Sequence, residues 1–223
     1  LMITIFIVIF SSEGIFSLAQ NNDIFFKNGS RNEKLIALTF DDGPHPKETY
    51  EILNILNKYN VKATFFVVGK HANWYSKPLI EASKEGHEIG NHTFSHPDIS
   101  NLSSDDIKKE IKECEDALIK LTGKKPTLFR PPYGSYGKDQ LGEIAKECGY
   151  KIILWTSIDA KDWKNPPSAQ ISNTIINKVQ NGDIILLHDY GTENTVQALD
   201  VIIPTLTKEG YKFVTVSELI GEN

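Results

Sequence analysis

Residues 35–44 read Leu-Ile-Ala-Leu-Thr-Phe-Asp-Asp-Gly-Pro, an apolar run that ends in two adjacent carboxylates, Asp41 and Asp42. An apolar run of this length is typical of a strand that is buried on both faces of a sheet. The Gly-Pro pair predicts a turn directly after the strand, and that turn can bring both carboxylates to the strand's end. We therefore predict a first strand at 35–40 that delivers two acidic side chains to a site.

The same pattern, a short apolar run followed by a stretch with helical spacing, repeats along the chain. Helical spacing is clearest at 49–59 and at 105–121. An alternation of strands and helices favours an α/β fold with a parallel sheet. Six further strands are predicted, at 63–68, 88–91, 127–130, 152–156, 184–187 and 212–215.

Polar residues follow the ends of successive predicted strands. A (β/α) barrel gathers such residues at one mouth, whereas an open doubly wound sheet places most of them at a single crevice. The spread over five strands therefore favours a barrel. In chain order these residues are Asp41 and Asp42, His92, Arg130, Asp159 and Asp162, and His188.

Two histidines, His92 and His96, are four residues apart. If this segment is helical, both imidazoles lie on one face and can reach one ion. Two imidazoles and one carboxylate are a common ligand set for a divalent metal, with positions left open for water and substrate. The histidine pair alone could equally be a surface pair, but the carboxylates of Asp41 and Asp42 favour a metal site.

Bulk composition describes one ordinary globular domain. The chain has 223 residues, with 40% hydrophobic and 24% charged residues. Its net charge of −5 gives no indication of a nucleic-acid surface. The two cysteines, Cys114 and Cys148, fit neither a CxxC redox pair nor a zinc knuckle. Whether they pair is left open, with two ordinary thiols as the preferred interpretation.

The N-terminal segment differs from the rest of the chain. An apolar run at 2–10 leads to Ser17-Leu18-Ala19, which is typical of a secretory signal peptide. A buried first strand or helix is the alternative. We predict a signal peptide or N-terminal anchor at 1–19, a linker at 20–33 and a catalytic domain at 34–223. The protein is then secreted or associated with the cell envelope.

Five motifs occur in order, and their residues resemble those of one known family. They are TFDDGP at 39–44, HTFSH at 92–96, RPPYG at 130–134, DAKDW at 159–163 and LLH at 186–188. With these motifs the chain resembles the polysaccharide deacetylases with a NodB homology domain, carbohydrate esterase family 4. The resemblance extends from about residue 34 to 219. It implies a single-domain distorted (β/α) barrel with about seven parallel strands.

The resemblance also implies roles for individual residues. Asp42, His92 and His96 would hold a divalent metal, with Zn²⁺ as the default and Co²⁺ or Mn²⁺ as alternatives. Asp41 would be the general base. His188 would be the general acid that protonates the leaving amine.

Further residues of the motifs would support this chemistry. Arg130 would orient Asp41, and Asp162 would favour the charged form of His188, while the role of Asp159 is left open. The backbone N–H of Tyr133 would stabilise the oxyanion. The predicted pocket for the acetyl methyl is lined by Trp163, Leu186 and Pro131. Three other histidines match no catalytic position and are interpreted as structural or surface residues: His45, His71 and His87.

The predicted function is metal-dependent hydrolysis of N-acetyl groups from N-acetylglucosamine units of a cell-wall polysaccharide, with release of acetate. Peptidoglycan, chitin and chito-oligosaccharide are equally compatible with the sequence. The alternatives are an O-acetyl polysaccharide esterase with the same metal site and a catalytically silent wall-binding protein. We expect a monomer, with no nucleic-acid partner and no protein partner.

Overall fold

The computed structural model describes residues 24–135, 140–156 and 158–222. In this part of the chain, parallel strands alternate with helices. The strands are β1 (Phe25–Phe26), β2 (Leu35–Asp41), β3 (Thr64–Val67), β4 (Glu88–Asn91), β5 (Leu128–Phe129), β6 (Lys151–Ile153), β7 (Ile184–His188) and β8 (Lys212–Phe213). The helices are α1 (Glu48–Lys58), α2 (Gly69–Trp74), α3 (Ser76–Lys84), α4 (Ser104–Thr122), α5 (Gln140–Cys148), α6 (Ser168–Ile176), α7 (Glu193–Lys208) and α8 (Val216–Ile220).

The strands form one curled sheet in the order β1-β6-β5-β4-β3-β2-β7, and β8 pairs with the first residues of β2. The chain that follows β6 reaches β7, because the Thr156 N–H donates to the Ile184 carbonyl at 3.1 Å and Asp159 bridges Leu186. The sheet is therefore a distorted barrel with seven parallel strands along its main path. The predicted fold class is confirmed, as is the single domain.

The alternation of side chains along β2 decides which residues face the mouth of the barrel. Ile36, Leu38 and Phe40 pack into the core layer that the helices cover. Ala37 lies on the other face, against Phe66 and other side chains inside the barrel. Because side chains alternate with period two, Asp41 points inward with Ala37. The same inner face carries Thr39, which is fully buried.

The predicted linker 20–33 contains a strand. Phe25 and Phe26 of β1 pair in parallel with Ile152 and Ile153 of β6. The segment is held there because Phe26 is 93% buried inside the barrel, in the same cluster as Ile153. The predicted signal peptide or anchor at 1–19 lies outside the described residues. Within the described ranges, no helix is both long and apolar enough to cross a bilayer.

The two cysteines do not form a disulfide. Cys114 is fully buried on α4, where its thiol donates to the Val67 carbonyl at 3.4 Å. Cys148 is half-buried at the end of α5 and is also a free thiol. The preferred sequence interpretation, two ordinary thiols, agrees with this arrangement.

Candidate metal centre and active site

Three side chains converge at the mouth of the barrel with the geometry of a metal site. Asp42 Oδ1 lies 3.1 Å from His96 Nε2 and 3.4 Å from His92 Nε2. The three ligand atoms all lie within 4.8 Å of one another. Ligands bonded to one zinc ion at about 2.0–2.2 Å are separated from each other by about 3.0–3.5 Å. The observed separations therefore suit a divalent cation.

The electrostatics of Asp42 also fit a cation. Its Oδ1 atom is buried, and among the described residues it has no hydrogen-bond partner of good geometry. Burial alone would raise the pKa of Asp42, but the imidazoles of His92 and His96 lower it well below its usual range. Burial of a carboxylate oxygen without a proper hydrogen bond is unfavourable. A cation bound between this oxygen and the two ring nitrogens would remove that cost.

The two histidines meet through a loop and not through a helical turn. After β4, Thr93 and His96 have positive φ angles of 66° and 59°. The Asn91 side chain accepts a hydrogen bond from Thr93 N at 2.9 Å, and the Thr93 hydroxyl accepts one from His96 N at 3.1 Å. These local bonds hold the loop in a conformation that L-residues rarely adopt. The condition under which the spacing of four would place both rings on one helical face is thus not met.

The orientation of the His92 ring is fixed by a hydrogen bond on the side away from Asp42. Its Nδ1 lies 2.7 Å from the Arg130 backbone carbonyl, which can only accept, so Nδ1 carries the proton. Nε2 is then the ring nitrogen that faces Asp42. This is the usual arrangement for a histidine ligand, in which one ring nitrogen donates to a carbonyl and the other binds the metal.

Arg130 is fully buried and is tied to β2 and β6 by its side chain. Its Nη1 donates to Asp41 Oδ1 at 2.7 Å and to the Thr39 hydroxyl at 2.8 Å. Nε and Nη2 donate to the Ile153 and Leu154 carbonyls, both at 3.2 Å. With one Asp41 oxygen held in this way, the other, Oδ2, lies 3.7 Å from His92 Nε2 and faces the metal centre.

The turn that follows β2 depends on a residue that the sequence reasoning missed. Asp42 has a positive φ of 76°, and its neighbour Gly43 donates its N–H to Asp189 Oδ1 at 2.9 Å. The other carboxylate oxygen of Asp189 accepts from the Thr49 hydroxyl at 2.6 Å. A Cβ on Gly43 would lie 2.1 Å from Asp189, so only glycine fits against this carboxylate. Burial raises the pKa of Asp189 to about 7, against its two hydrogen bonds.

A second pair, the half-buried His188 and the buried Asp162, lies at the end of β7, where His188 is the register partner of Asp41 on β2. His188 Nδ1 and Asp162 Oδ1 are 2.8 Å apart. The other Asp162 oxygen accepts from the His188 backbone N–H and from the Thr195 hydroxyl, both at 2.8 Å. Burial opposes the charge on His188, but its hydrogen bond to Asp162 and the nearby carboxylates raise its pKa to about 9. The ring is therefore a proton donor at neutral pH, and Nδ1 is the nitrogen that Asp162 holds, so Nε2 is the position from which a proton can be donated.

The remaining predicted site residues are less closely grouped. Tyr133 has a positive φ of 58°, is 69% exposed, and its ring contacts that of His96 at 4.8 Å. Trp163 is exposed on the same short turn as Asp162. Leu186 and Pro131 are buried, the first on β7 and the second next to Arg130. A shared pocket of Trp163, Leu186 and Pro131 stays a prediction.

Of the histidines that we interpreted as structural, His87 is buried far from the cluster and accepts from the Ala63 N–H at 3.2 Å. His45 pairs with Glu48. His71 is closer to the site than the sequence suggested, because its Nδ1 lies 2.6 Å from the Asp42 carbonyl. His71 thus contacts the backbone of Asp42, one of the three clustered residues.

A barrel with an open three-ligand cluster, a nearby carboxylate and a separate proton donor defines a metal-dependent hydrolase. The family model for polysaccharide deacetylases matches residues 28–153. This protein belongs to the polysaccharide deacetylase family. The resemblance that the five motifs indicated is confirmed, and with it the reaction class, removal of acetyl groups from a cell-wall polysaccharide.

Two curated relatives are similar over most of this chain. A peptidoglycan-N-acetylglucosamine deacetylase of Bacillus cereus is 45% identical, over 85% of this chain and 89% of its own length. The peptidoglycan-N-acetylmuramic acid deacetylase PdaC of Bacillus subtilis is 43% identical, over 84% of this chain. This chain spans only 39% of the length of PdaC.

Solved structures agree with the fold. The crystal structure of a peptidoglycan N-acetylglucosamine deacetylase in complex with an N-hydroxybenzamide compound superposes with a TM-score of 0.86 at 37% identity. It covers 90% of this chain and 94% of that chain. A CE4 family pseudoenzyme from Bacillus anthracis superposes with a TM-score of 0.83 at 32% identity, over 87% of this chain and 68% of that one. The fold is therefore shared by a deacetylase and a pseudoenzyme, so that the fold alone does not determine activity.

Proposed function

We propose that this protein removes the N-acetyl group from N-acetylglucosamine units of peptidoglycan and releases acetate. One observation carries the proposal. Metal ligands, base and acid all lie at one mouth of the barrel and surround one space. The ligands are Asp42, His92 and His96, the base is Asp41, and the acid is His188 with its partner Asp162. A catalytically silent wall-binding protein has no use for this set. The polymer is proposed from the relatives named as peptidoglycan deacetylases.

Each residue of the site has a separate role in amide hydrolysis. A divalent cation held by Asp42, His92 and His96 would polarise the acetyl carbonyl and acidify water. Asp41 Oδ2 accepts the proton of the attacking water, since Arg130 holds Oδ1. The Tyr133 N–H contributes a hydrogen bond to the developing oxyanion. His188 donates the proton at Nε2 to the amine nitrogen when the carbon–nitrogen bond breaks.

The separate acid distinguishes an amide from an ester substrate. An amine is a poor leaving group until it is protonated, so a charged imidazolium with a raised pKa serves N-deacetylation directly. An O-acetyl esterase with the same metal site is the second candidate. The buried Asp162 that holds the charge on His188 favours the amide.

We propose Zn²⁺ as the metal. Two imidazole nitrogens and one carboxylate oxygen match the catalytic zinc sites of hydrolases, although Co²⁺ and Mn²⁺ accept the same ligands. Elemental analysis of protein purified without added metal, followed by reconstitution with each ion, tests this choice. The proposal is withdrawn if another ion is retained at one per chain in preference to zinc.

Acetate release by the metal-loaded protein tests the function itself. Peptidoglycan, chitopentaose and acetylated xylan are offered side by side, with chelator-treated protein as control. We expect acetate from peptidoglycan at the highest kcat/KM. Acetate from xylan alone would establish the esterase instead, and no acetate from any substrate by metal-loaded protein would support the silent binder.

An Asp162→Asn variant is expected to change the pH dependence of catalysis. The raised pKa of His188 means that the acid is protonated below about 9 and that activity falls as pH rises through that pKa. Because Asn cannot supply the charge, the alkaline limb of the kcat/KM profile should move to lower pH by at least about one unit. A bound cation opposes the effect of Asp41 and Asp42 on the pKa of His188. The quantity to measure is therefore the difference between the alkaline limbs of the wild type and of Asp162→Asn.

The matched control for that variant is Asp183→Asn, which removes another buried aspartate, one that lies beside Arg31. Its alkaline limb should coincide with that of the wild type. If Asp162→Asn also leaves the limb in place, His188 is not the acid that this limb reports.

We further propose that the protein acts outside the cytoplasm, in line with the secretory pattern at 1–19. Expression of the full chain in a bacterial host, followed by N-terminal mass spectrometry of the exported fraction, tests this. A mature chain that begins at Gln20 supports cleavage. Full-length protein confined to the cytosol contradicts export.

A further inference from the structure

Three of the four exposed large aromatic side chains in the described ranges, Trp74, Tyr133 and Trp163, follow the C-terminal ends of strands. Among the described residues, the large hydrophobic side chains with high exposure are Phe25, Trp74, Tyr133, Trp163 and Val201. Tyr133 contacts the ring of His96, and Trp163 is adjacent to Asp162. Trp74 is 62% exposed, and neither the motifs nor the mechanism gives it a role.

Trp74 belongs to an aromatic group that is tied to the metal centre. Its ring lies 5.4 Å from the His71 ring, which stacks on the Tyr190 ring at 4.3 Å with an interplanar angle of 11°. His71 Nδ1 donates to the backbone carbonyl of Asp42 at 2.6 Å. We call Trp74, His71 and Tyr190 the rim platform.

The strand order places the rim platform on one side of the mouth. α2, which carries His71 and Trp74, follows β3, while Tyr190 follows β7. Both strands are neighbours of β2 in the sheet, so the platform lies over the end of β2. Tyr133 follows β5 and Trp163 follows β6, on the other part of the rim. The metal centre therefore lies between the rim platform, in which Trp74 is the exposed ring, and the exposed rings of Tyr133 and Trp163.

Packing explains part of this group but not all of it. Stacking between His71 and Tyr190 covers one face of each ring and holds the loop after β7. Trp74 gains little from that contact, because most of its surface remains in water. A large apolar ring kept in solvent beside a catalytic site is a feature of ligand-binding surfaces.

We propose that the rim platform binds a pyranose ring of the polysaccharide, next along the chain from the sugar that is deacetylated. This inference rests on the proposed function. A pyranose presents a face of C–H groups that stacks on an indole, and its hydroxyl groups lie at the ring edge. Since His71 Nδ1 donates to the Asp42 carbonyl, Nε2 is the ring nitrogen that remains to hydrogen-bond one of these hydroxyls.

The link to Asp42 gives the platform a positioning effect. A sugar held on Trp74 and His71 is fixed relative to the backbone of a metal ligand, not to a distant loop. The polymer would then cross the mouth in one register, with one acetamido group at the metal centre. Binding energy from the neighbouring ring is used to orient the reacting one.

The test is oligosaccharide binding by Trp74→Ala. Isothermal titration of zinc-loaded Asp41→Asn protein with chitopentaose avoids turnover. Adding Trp74→Ala should weaken Kd about tenfold, the size expected for one aromatic stacking contact. Trp74→Phe should recover most of this loss. Val201→Ala removes another exposed hydrophobic side chain, on α7, and should leave Kd within twofold.

Ligands of different length distinguish binding of the neighbouring sugar from binding of the reacting sugar. The loss in Trp74→Ala should be present with chitopentaose and absent with the monosaccharide N-acetylglucosamine. An equal loss with the monosaccharide would overturn the neighbouring-ring assignment. An unchanged Kd for chitopentaose, or no oligosaccharide binding by the Asp41→Asn parent, would overturn the platform altogether.

Failure of the platform and failure of the proposed function give different results. Acetate release from polymer by otherwise wild-type protein, with no effect of Trp74→Ala on Kd or on KM, would uphold the function and reject the platform. A tenfold loss of binding in Trp74→Ala, with no acetate from any substrate, would uphold the platform and reject the function.

Discussion

Asp41→Asn is expected to lower kcat for acetate release by about 10³-fold while the protein still binds one metal ion per chain. General-base catalysis contributes about 10²–10⁴-fold, and an amide oxygen cannot take the proton of the attacking water. The metal ligands are left intact because Asp41 is not one of the three clustered residues. Acetate release and elemental analysis on the same sample measure both quantities.

The same substitution weakens a buried ion pair, and this effect has to be separated from catalysis. Arg130 is fully buried, and Asp41 is the carboxylate that its Nη1 contacts. Breaking such a pair costs up to about 3–5 kcal/mol, although Asn retains an acceptor for the guanidinium. Assays are therefore run well below the midpoint of thermal unfolding of the variant.

Glu115→Gln is the matched control for loss of a buried carboxylate. Glu115 is 5% exposed on α4 and accepts from the Tyr150 hydroxyl at 2.9 Å, outside the metal cluster. It should lose stability and keep kcat. An Asp41→Asn protein that is folded, binds metal and retains more than about a tenth of wild-type kcat would show that another group is the base.

The strands were predictable because each buried strand needs an apolar run in the sequence. All seven predicted strands are present: four are shorter than predicted by two residues, two are longer by one residue, and one has the predicted bounds. β1 was missed because it consists of two residues inside a polar stretch. Its place in the sheet depends on pairing with Ile152 and Ile153, more than a hundred residues away, which no local pattern reveals.

The residues of the candidate site were predictable as types at the ends of strands, but their geometry was not. His92 and His96 converge through positive φ angles at Thr93 and His96, which the helical spacing argument could not anticipate. The spacing of four suggested a helix because i and i+4 share a helical face. A local hydrogen bond from Thr93 N–H to the Asn91 side chain and a tertiary one from His92 to the Arg130 carbonyl hold a loop instead.

The contacts of Asp189 and His71 could not be predicted from local sequence. Asp189 directly follows His188, so its position at the end of β7 was a usable signal. Its partners, Gly43 and Thr49, are about 140 residues away and emerge only when β7 lies beside β2. His71 lies on α2 with no motif around it, and the contact to the Asp42 carbonyl depends on the same packing.

His92→Ala is expected to abolish metal-dependent acetate release and to weaken metal binding by more than about 100-fold. Even residues that only support a ligand change metal affinity by about 10–100-fold, so loss of a ligand should exceed that range. Asp42 and His96 alone leave the ion with two protein ligands. Zinc retention after dialysis against a competing chelator measures the affinity, and acetate release measures the activity.

His87→Ala is the matched control, because it also removes a buried imidazole. His87 is 5% exposed and bonds to the Ala63 N–H, and burial lowers its pKa to about 4. We expect this variant to be less stable but to retain metal and kcat. If His87→Ala and His92→Ala lose metal equally, the loss reflects a weakened fold. If only His92→Ala loses metal and yet still releases acetate, the cluster is not the catalytic centre, and the mechanism that places Asp41 and His188 around it fails as well.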